Sequence, residues 1–222
     1  MPGRTAIIFG GTGLIGKALT EELGKSCQYE KIIAFTRRKT EFDTVLKVNN
    51  QVVDFENPES FSGQIIGDDI FICLGTTIKK AGSVKKMEKI DRDLPVILAK
   101  YAHKNSVSRL AIVSSIGANV NSSNYYLRIK GEMEREIMNI NFETVAIARP
   151  SLLLGRRDEN RFGESAGKLF MKVLSHLLYG RLRKYRAIEG RIVAKALIGI
   201  LRSETGKNIY ESDQLQKLAY RK

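Results

Sequence analysis

Short runs of apolar residues alternate along the chain with longer segments whose apolar residues recur every three or four positions. The runs are continuous, which is typical of strands buried on both faces of a parallel sheet. The first helical segment covers 14–23, and we expect it to end at Gly24. Six strands are predicted, at 6–9, 32–35, 52–53, 70–74, 110–113 and 145–148. This alternation of strands and helices indicates βαβ units and a parallel α/β sheet.

The second helical segment covers 87–103 and contains a proline. Pro95 either kinks the helix or lies near its start. In the second case Asp91 or Asp93 would be the N-cap. Both interpretations predict a helix that packs on the sheet.

The chain has a looser pattern after Pro150. This tail is too small to build an independent core. We therefore expect a single domain over 1–222, in which 151–190 and 206–222 form a small lid or substrate lobe. The elements expected in the tail are helices at 164–178 and 191–201, a short strand around Ile209 and a helix opened by Ser212.

Composition narrows the class of protein without naming a ligand. The 37 Lys and Arg residues outnumber the 24 Asp and Glu residues, so the net charge of +13 favours anionic partners. Cys27 and Cys73, with two histidines, predict neither a disulfide framework nor a metal site. No apolar run approaches the ~20 residues that span a bilayer. A cytoplasmic protein without integral membrane association is expected.

A glycine-rich turn joins the first predicted strand to the first helix. Glycines 10, 13 and 16 let the chain turn tightly, approach a pyrophosphate and direct a helix N-terminus at it. Because strand and helix flank the motif, it predicts a dinucleotide site in a doubly wound, Rossmann-type sheet. The candidate cofactor-binding residues of this turn are Gly10, Thr12, Gly13, Leu14, Ile15 and Gly16.

The same segment partly matches the phosphate loop of nucleoside triphosphatases. Gly11 to Lys17 reads G-x-x-x-x-G-K, but Ala18 stands where that motif needs Ser or Thr to hold magnesium. No later strand offers an obvious partner aspartate for the ion. We therefore favour the dinucleotide site.

The end of the second strand indicates which dinucleotide binds. An NAD site usually has a carboxylate about 20 residues past the last glycine, whereas this chain has Arg37 and Arg38 there. Guanidinium groups can hold a 2′-phosphate, so the sequence predicts NADP(H). The alternative is that both arginines are solvated surface charges. Asp54, after the next strand, either meets the adenine amino group or caps a turn.

One tyrosine has the spacing of a proton donor. Of eight tyrosines, only Tyr126 has a lysine four residues later, and Lys130 then shares its helical face. An ammonium there favours the phenolate, which brings the pKa of tyrosine closer to working pH. Such a group can exchange a proton with a carbonyl oxygen. Tyr125 lies off this face, and the alternative for the pair is an exposed helix surface.

Two serines follow the fifth strand at its carboxyl end, where open α/β sheets bind ligands. A hydroxyl there can hold the substrate oxygen beside the tyrosine. Ser115 is the first choice because it precedes an Ile-Gly turn, and Ser114 is the substitute.

The stretches that match a known family extend over nearly the whole chain. They are Gly10 to Gly16, Thr36-Arg37-Arg38, Val52-Val53-Asp54-Phe55, Cys73-Leu74-Gly75-Thr76-Thr77, Lys80-Ala81-Gly82, Asp91-Arg92-Asp93, Ser114-Ser115, Tyr126-Leu127, Lys130-Gly131-Glu132 and Arg149-Pro150 through Arg161. In these stretches the chain resembles the short-chain dehydrogenase/reductase superfamily, in particular the atypical branch that contains the Tat-interacting oxidoreductase-like proteins.

This resemblance implies roles for particular residues. Tyr126 would be the proton donor, and Lys130 would hold the ribose and lower the pKa of the tyrosine. The serine turn departs from the longer serine run of extended members, so the choice of serine stays open. The other implied cofactor or substrate contacts are Leu74 and Gly75 against the nicotinamide half, Thr76, Leu153 and Arg161.

A lid is expected where the chain leaves the sixth strand. Arg156 and Arg157 stand beside acidic residues and are interpreted as solvated. Arg161 precedes Phe162-Gly163, where the chain should turn back over the cleft. We therefore expect its guanidinium to reach an anionic oxygen of NADP or of an acidic substrate as the loop closes.

Two classes of function fit these observations. The first is a reductase of a small carbonyl compound, and the second is an NADP(H)-sensing regulatory protein whose partner reads the cofactor state. Tyr126 and Lys130 favour the enzyme, since a sensor needs neither. A nucleic-acid partner is not expected, because no binding motif accompanies the basic cluster of Arg181, Arg183, Lys184 and Arg186 around Tyr185.

Overall fold

The computed structural model describes residues 3–40, 42, 45–155 and 179–221. The strands in this part are β1 (Arg4–Phe9), β2 (Tyr29–Thr36), β3 (Val48–Val52), β4 (Asp69–Ile72), β5 (Arg109–Val113), β6 (Thr144–Arg149), β7 (Leu153–Leu154), β8 (Ile188–Glu189) and β9 (Gly206–Glu211). Seven of these described strands form one parallel sheet in the order β3-β2-β1-β4-β5-β6-β9, while β7 and β8 pair separately. This order is that of a doubly wound fold and confirms the predicted class.

Helices cover both faces of the sheet. They are α1 (Leu14–Lys25), α2 (Ile78–Ala81), α3 (Val84–Glu88), α4 (Leu94–Lys104), α5 (Tyr125–Asn139), α6 (Gly190–Ser203) and α7 (Ser212–Leu218). A 3₁₀ turn covers Pro58–Gln64, a second covers Gly180–Tyr185, and a π turn at Lys89–Asp93 joins α3 to α4. The helix predicted at 164–178 lies outside the described residues.

Each face of the sheet has its own apolar core, because the side chains of a strand alternate between faces. In β1, Ile7 and Phe9 join the core under α4 and α5, whereas Ala6 and Ile8 join the core under α1 and α6. The rings of Phe9 and Phe35 stack with centroids 4.8 Å apart. Burial on both faces explains why these strands are continuous apolar runs in the sequence.

Three predicted boundaries were wrong. Gly24 does not end the first helix, which continues to Lys25 and ends where the Ser26 N–H bonds the Leu23 carbonyl. The third strand lies at Val48–Val52, before the predicted position. The strand that we expected in the peripheral lobe belongs to the main sheet, because Gly206–Glu211 pairs with β6.

Pro95 explains the π turn between α3 and α4. Proline has no N–H, so it cannot bond the Asp91 carbonyl four residues earlier as an α-helix requires. The preceding Leu94 N–H bonds the Lys89 carbonyl, five residues back, which defines the π turn. Pro95 thus lies in the first turn of α4, as the second interpretation predicts, and Asp93 occupies the N-cap position but makes no side-chain capping hydrogen bond. Asp91 is not the N-cap, because it lies inside the π turn.

A buried carboxylate ties four strands together at the amino end of the sheet. Both oxygens of Asp69 on β4 accept from Arg4 of β1, at 3.0 and 2.8 Å. Arg109 of β5 donates to it at 2.7 Å, and the Tyr29 hydroxyl of β2 donates as well. Burial raises the pKa of Asp69 to about 6, against the opposing effects of Tyr29 and Arg4. At neutral pH the carboxylate is therefore charged and paired.

Within the described residues, no helix is long and apolar enough to cross a membrane. The same part of the chain contains no group of three or more His, Cys, Asp or Glu residues that could hold a metal ion. Cys27 and Cys73 are free thiols.

Candidate functional site

The candidate site lies between β1 and β4, where the strand order reverses. Ligands of open α/β sheets bind at such a point, beyond the carboxyl ends of the strands. Gly10 follows β1 with a φ of +81°, and a Cβ there would lie 2.6 Å from the Cys73 carbonyl carbon. The glycine turn thus packs directly on the backbone that leaves β4.

The start of α1 is shaped to hold an anion. Gly13 precedes the helix and offers no side-chain cap, so the first N–H groups of α1 have no capping partner. A Cβ on Gly16 would lie 2.1 Å from the Gly10 carbonyl oxygen, which only glycine avoids. Thr12 is exposed at the rim, while the Ile15 side chain is buried in the core. Ile15 can therefore contribute only its backbone, and the turn fits the pyrophosphate of a dinucleotide.

Leu14 lies under the small β7-β8 sheet. A Cβ on Gly155 would approach its Cδ1 to 2.4 Å, and a Cβ on Gly190 would approach its Cγ to 3.0 Å. Leu153 of β7 is partly buried against the core under α1 and α6, which includes Ile15 of α1. The structure thus brings Leu153 near the glycine turn, whereas Arg161 lies outside the described residues.

The cations predicted to select NADP(H) are exposed at the carboxyl end of β2. Arg37 and Arg38 directly follow Thr36, whose hydroxyl donates to the Arg38 carbonyl at 2.8 Å. This bond fixes the turn that presents both guanidinium groups. Asp54 is also exposed, and its Oδ1 accepts the Glu56 N–H at 2.9 Å. Asp54 therefore caps a turn, and its second oxygen stays available.

The loop after β4 holds the residues assigned to the nicotinamide half. Leu74 is partly buried, Gly75 is exposed, and the Thr76 N–H donates to Asp91 Oδ2 at 2.9 Å. The loop leaves the sheet beside the glycine turn. It thus joins the glycine cradle to the helical segment that carries Asp91.

Tyr126 and Lys130 lie one turn apart on α5, as their spacing predicts. Tyr126 is half-buried, and no hydrogen bond to another described residue occupies its hydroxyl. The Tyr125 hydroxyl instead donates to Glu88 at 2.9 Å. Of the two tyrosines, Tyr126 is therefore the one whose hydroxyl is available to a substrate.

The Lys130 ammonium is buried and paired with a carboxylate. Its Nζ lies 2.8 Å from Asp91 Oδ1, and the two side chains are 2% and 0% exposed. Burial alone would lower the pKa of Lys130, but Asp91, Tyr126 and Glu134 together raise it above its ordinary value. Lys130 is thus a fixed positive charge within the site.

Ser114 and Ser115 stand at the carboxyl end of β5. Ser114 is buried, and its hydroxyl has no partner among the described residues. Ser115 is half-buried, and its hydroxyl lies 3.4 Å from the Ile116 carbonyl. Both hydroxyls remain candidates to hold a substrate oxygen.

Sequence reasoning missed the ion pair between Asp91 and Lys130, because we considered Asp91 only as a helix cap. A signal was present, because Asp91 lies four residues after Met87 and three before Leu94. These positions share one helix face, and both neighbours are buried. A carboxylate on an apolar face needs a buried partner.

A parallel sheet of this order, with a glycine cradle at its reversal point, defines the dinucleotide-binding α/β proteins. The chain belongs to the NAD(P)H-binding family, whose model matches residues 10–172. The prediction of a nicotinamide dinucleotide cofactor is thereby confirmed, without a distinction between NAD and NADP.

Known proteins support this assignment. Protein HTATIP2 of Rattus norvegicus is 34% identical over 173 residues, which cover 77% of this chain and 71% of that protein. It confirms the resemblance to the Tat-interacting group. Protein FMP52, mitochondrial, of Candida glabrata is 34% identical over 94% of this chain and 89% of its own. A solved structure, a putative NAD-dependent epimerase/dehydratase from Bacillus halodurans, shares the fold with a TM-score of 0.70, 19% identity and coverage of 98% and 99%.

The expected cytoplasmic location was wrong. Relatives from Candida glabrata, Kluyveromyces lactis and Saccharomyces cerevisiae are all named mitochondrial. The composition and hydropathy from which we expected the cytoplasm therefore did not identify the compartment.

Proposed function

We propose that the protein is an NADPH-dependent reductase of a small carbonyl compound. The observation that carries this proposal is the placement of Tyr126 and the buried Lys130 on one helix at the cofactor end of the sheet. A protein that only binds the cofactor has no need of a proton donor there. The catalytic step is therefore assigned to Tyr126.

The chain would hold the cofactor at three places. The N–H groups at the start of α1 bind the pyrophosphate, Arg37 and Arg38 bind the 2′-phosphate, and Lys130 holds the nicotinamide ribose. When bound, the nicotinamide group supplies the hydride. Leu74 and Gly75 would contact the nicotinamide half of the cofactor, and Leu153 would contact the cofactor or the substrate.

Tyr126 donates the proton that the reduced carbonyl oxygen requires. Its hydroxyl stands near the fixed positive charge of Lys130, which stabilises the phenolate left behind. Ser115 or Ser114 holds the substrate oxygen in line with this hydroxyl. The three side chains thus orient the carbonyl and move one proton to its oxygen.

Tyr126→Phe tests this assignment. We expect turnover of any accepted carbonyl compound to fall by about 10²–10⁴-fold, the usual contribution of a positioned acid. NADPH affinity should stay within a few-fold, because the phenyl ring is kept. NADPH oxidation against a panel of aldehydes, ketones and quinones gives the rate, and fluorescence titration gives the affinity.

Tyr125→Phe is the matched control, since the Tyr125 hydroxyl is occupied by its hydrogen bond to Glu88 and lies one residue from the face that Tyr126 shares with Lys130. It should reduce the same substrates at nearly the parent rate. If the parent protein binds NADPH but oxidises it with no member of the panel, the NADP(H)-sensing function replaces the reductase. If the Tyr126 variant keeps the parent rate, the proton comes from another group.

We also propose a mitochondrial location, on the basis of the three relatives whose names include that compartment. Fractionation of cells that express the tagged chain would test it. Recovery of the protein outside the mitochondrial fraction would contradict the proposal.

A further inference from the structure

Thr36 is hydrogen-bonded to two neighbouring segments at the carboxyl end of β2. It is buried, and its backbone carbonyl accepts the Val53 N–H, just beyond β3, at 2.9 Å. Its hydroxyl oxygen lies 2.8 Å from the Arg38 carbonyl oxygen and 2.7 Å from Oδ1 of Asn50 on β3. The turn that carries Arg37 and Arg38 is therefore tied to β3 through one threonine side chain.

The hydroxyl of Thr36 has a single proton for these two contacts. The Arg38 carbonyl can only accept a hydrogen bond, whereas the amide of Asn50 can present either its oxygen or its nitrogen. With the oxygen toward Thr36, the amide nitrogen is buried and has no partner among the described residues. Rotation of the amide by about 180° lets Nδ2 donate to the Thr36 oxygen, while the hydroxyl proton goes to Arg38. The two hydrogen bonds then form one chain from β3 to the arginine turn.

The position of these hydrogen bonds links them to the choice of cofactor. Arg37 and Arg38 are exposed, and long exposed side chains lose rotamer freedom when they bind a ligand. A guanidinium pairs with a phosphate through two parallel hydrogen bonds, which require a defined geometry. A turn that is fixed beforehand lowers the entropy lost on binding. Only a cofactor with a 2′-phosphate gains from this effect.

We propose that Thr36 and Asn50 are positioning residues, which hold the turn of Arg37 and Arg38 in the form that binds a 2′-phosphate and so select NADPH over NADH. This inference rests on the proposed function, since it takes both arginines as the groups that bind this phosphate. Thr36 and Asn50 act through the backbone of the turn and not through the reacting atoms.

The test is the ratio of the NADPH and NADH dissociation constants, measured by fluorescence titration. Thr36→Val keeps the shape of the side chain and removes the hydroxyl, so NADPH affinity should fall about fivefold, the effect of one hydrogen bond. NADH affinity should change by less than about twofold, because NADH has no 2′-phosphate to lose its partner. Thr36→Ser keeps the hydroxyl and should retain the parent ratio.

Asn50→Leu tests the amide, since leucine has a similar shape and no hydrogen-bonding group. It should also weaken NADPH and spare NADH. The double variant with Thr36→Val should lose no more NADPH affinity than Thr36→Val alone, because the amide acts only through the hydroxyl. Additive losses would overturn the assignment of Asn50.

Asn49→Leu is the matched control. Asn49 is exposed, and its side chain accepts a hydrogen bond from Gln51 at 2.8 Å. Neighbouring residues of a strand point to opposite faces, so Asn49 lies on the other face of β3 from Asn50. Its variant should give the parent ratio.

Three outcomes would overturn the inference. Equal losses for NADPH and NADH in Thr36→Val, or the loss of its cooperative thermal transition, would show that the hydroxyl only stabilises the fold. A preference for NADPH that survives both substitutions would overturn this inference alone. Equal affinity of the parent protein for the two cofactors would instead overturn the proposed choice of NADP(H), and this inference with it. If Asn50→Leu does not fold, Thr36→Val and Thr36→Ser still decide the result.

Discussion

A side chain at Gly10 would collide with the backbone of the neighbouring strand. Its Cβ would lie 2.6 Å from both the carbon and the oxygen of the Cys73 carbonyl, at a φ of +81°. We expect Gly10→Ala to lower the free energy of unfolding by at least about 2 kcal/mol through backbone strain. NADPH binding should be lost as the turn shifts. Urea unfolding and fluorescence titration measure the two effects.

Gly63→Ala is the control, since its added Cβ would meet nothing within 4 Å. Its free energy of unfolding should change by less than about 0.5 kcal/mol. Equal effects of the two substitutions would show that the glycine turn tolerates a side chain.

Spacing was enough to predict that Tyr126 and Lys130 lie one turn apart on one helix, because residues four apart share a face. It could not reveal what else Lys130 contacts. The partner, Asp91, comes from a distant segment and meets Lys130 only after two helices pack together. The sequence showed an acidic residue on an apolar face, but its partner depends on tertiary structure.

Strands β1, β2, β4 and β5 are cross-linked at their amino ends by Asp69. We expect Asp69→Asn to lower the free energy of unfolding by about 3–5 kcal/mol, because two arginines lose the charge of their buried partner. Chemical denaturation at neutral pH, where Asp69 is charged, measures the loss.

The adjacent Asp68→Asn provides the comparison. Asp68 is exposed and accepts one hydrogen bond, from the Thr5 N–H. Asp68→Asn should lower the free energy of unfolding by about 1 kcal/mol or less, because only this hydrogen bond is weakened. A similar small loss at both positions would mean that the Asp69 cluster adds no strength to the sheet.

Elements at the edge of the sheet were the ones placed least accurately. β3 reads Val-Asn-Asn-Gln-Val and is mostly exposed or half-buried, so it has no continuous apolar run. Only Val52 at its end and Val53, just beyond it, indicated the strand in the sequence. Central strands are buried on both faces and were located within a few residues, because burial restricts their composition.

The arginines after β2 should make the stability of the whole molecule depend on the cofactor chosen. At 100 times its Kd, a ligand stabilises the fold by about 2.7 kcal/mol. If NADH binds tenfold more weakly, the same concentration of NADH stabilises the fold by only about 1.4 kcal/mol. NADPH should therefore raise the Tm more than NADH, by about 3–5 °C for a domain of this size.

Arg37→Ala should remove most of this difference, because its guanidinium can pair only with the 2′-phosphate of NADPH. Arg202→Ala, an exposed arginine at the end of α6, should leave the difference unchanged. Equal Tm shifts with both cofactors in the parent protein would show that the arginines are solvated and do not select NADP.

The overall architecture was predictable because its signals are local: apolar runs, helical periods and a glycine turn. The place of the last strand was not. The sequence predicted residues 206–211 as part of a peripheral lobe, but they pair with β6 at the edge of the sheet. The strand with which an edge strand pairs depends on packing between distant segments. Here α6 packs beside α1 on one face of the sheet.

The position of β9 has a consequence for synthesis on the ribosome. The chain emerges from its amino end, and domains begin to fold in that order. The other six strands of the main sheet and the described residues of the cofactor cradle are made before β9, so they can assemble on the nascent chain. The outer edge of β6 then stays unpaired until β9 has been translated. During that interval the unpaired edge is open to strands of neighbouring nascent chains, so β9 protects the new protein from aggregation.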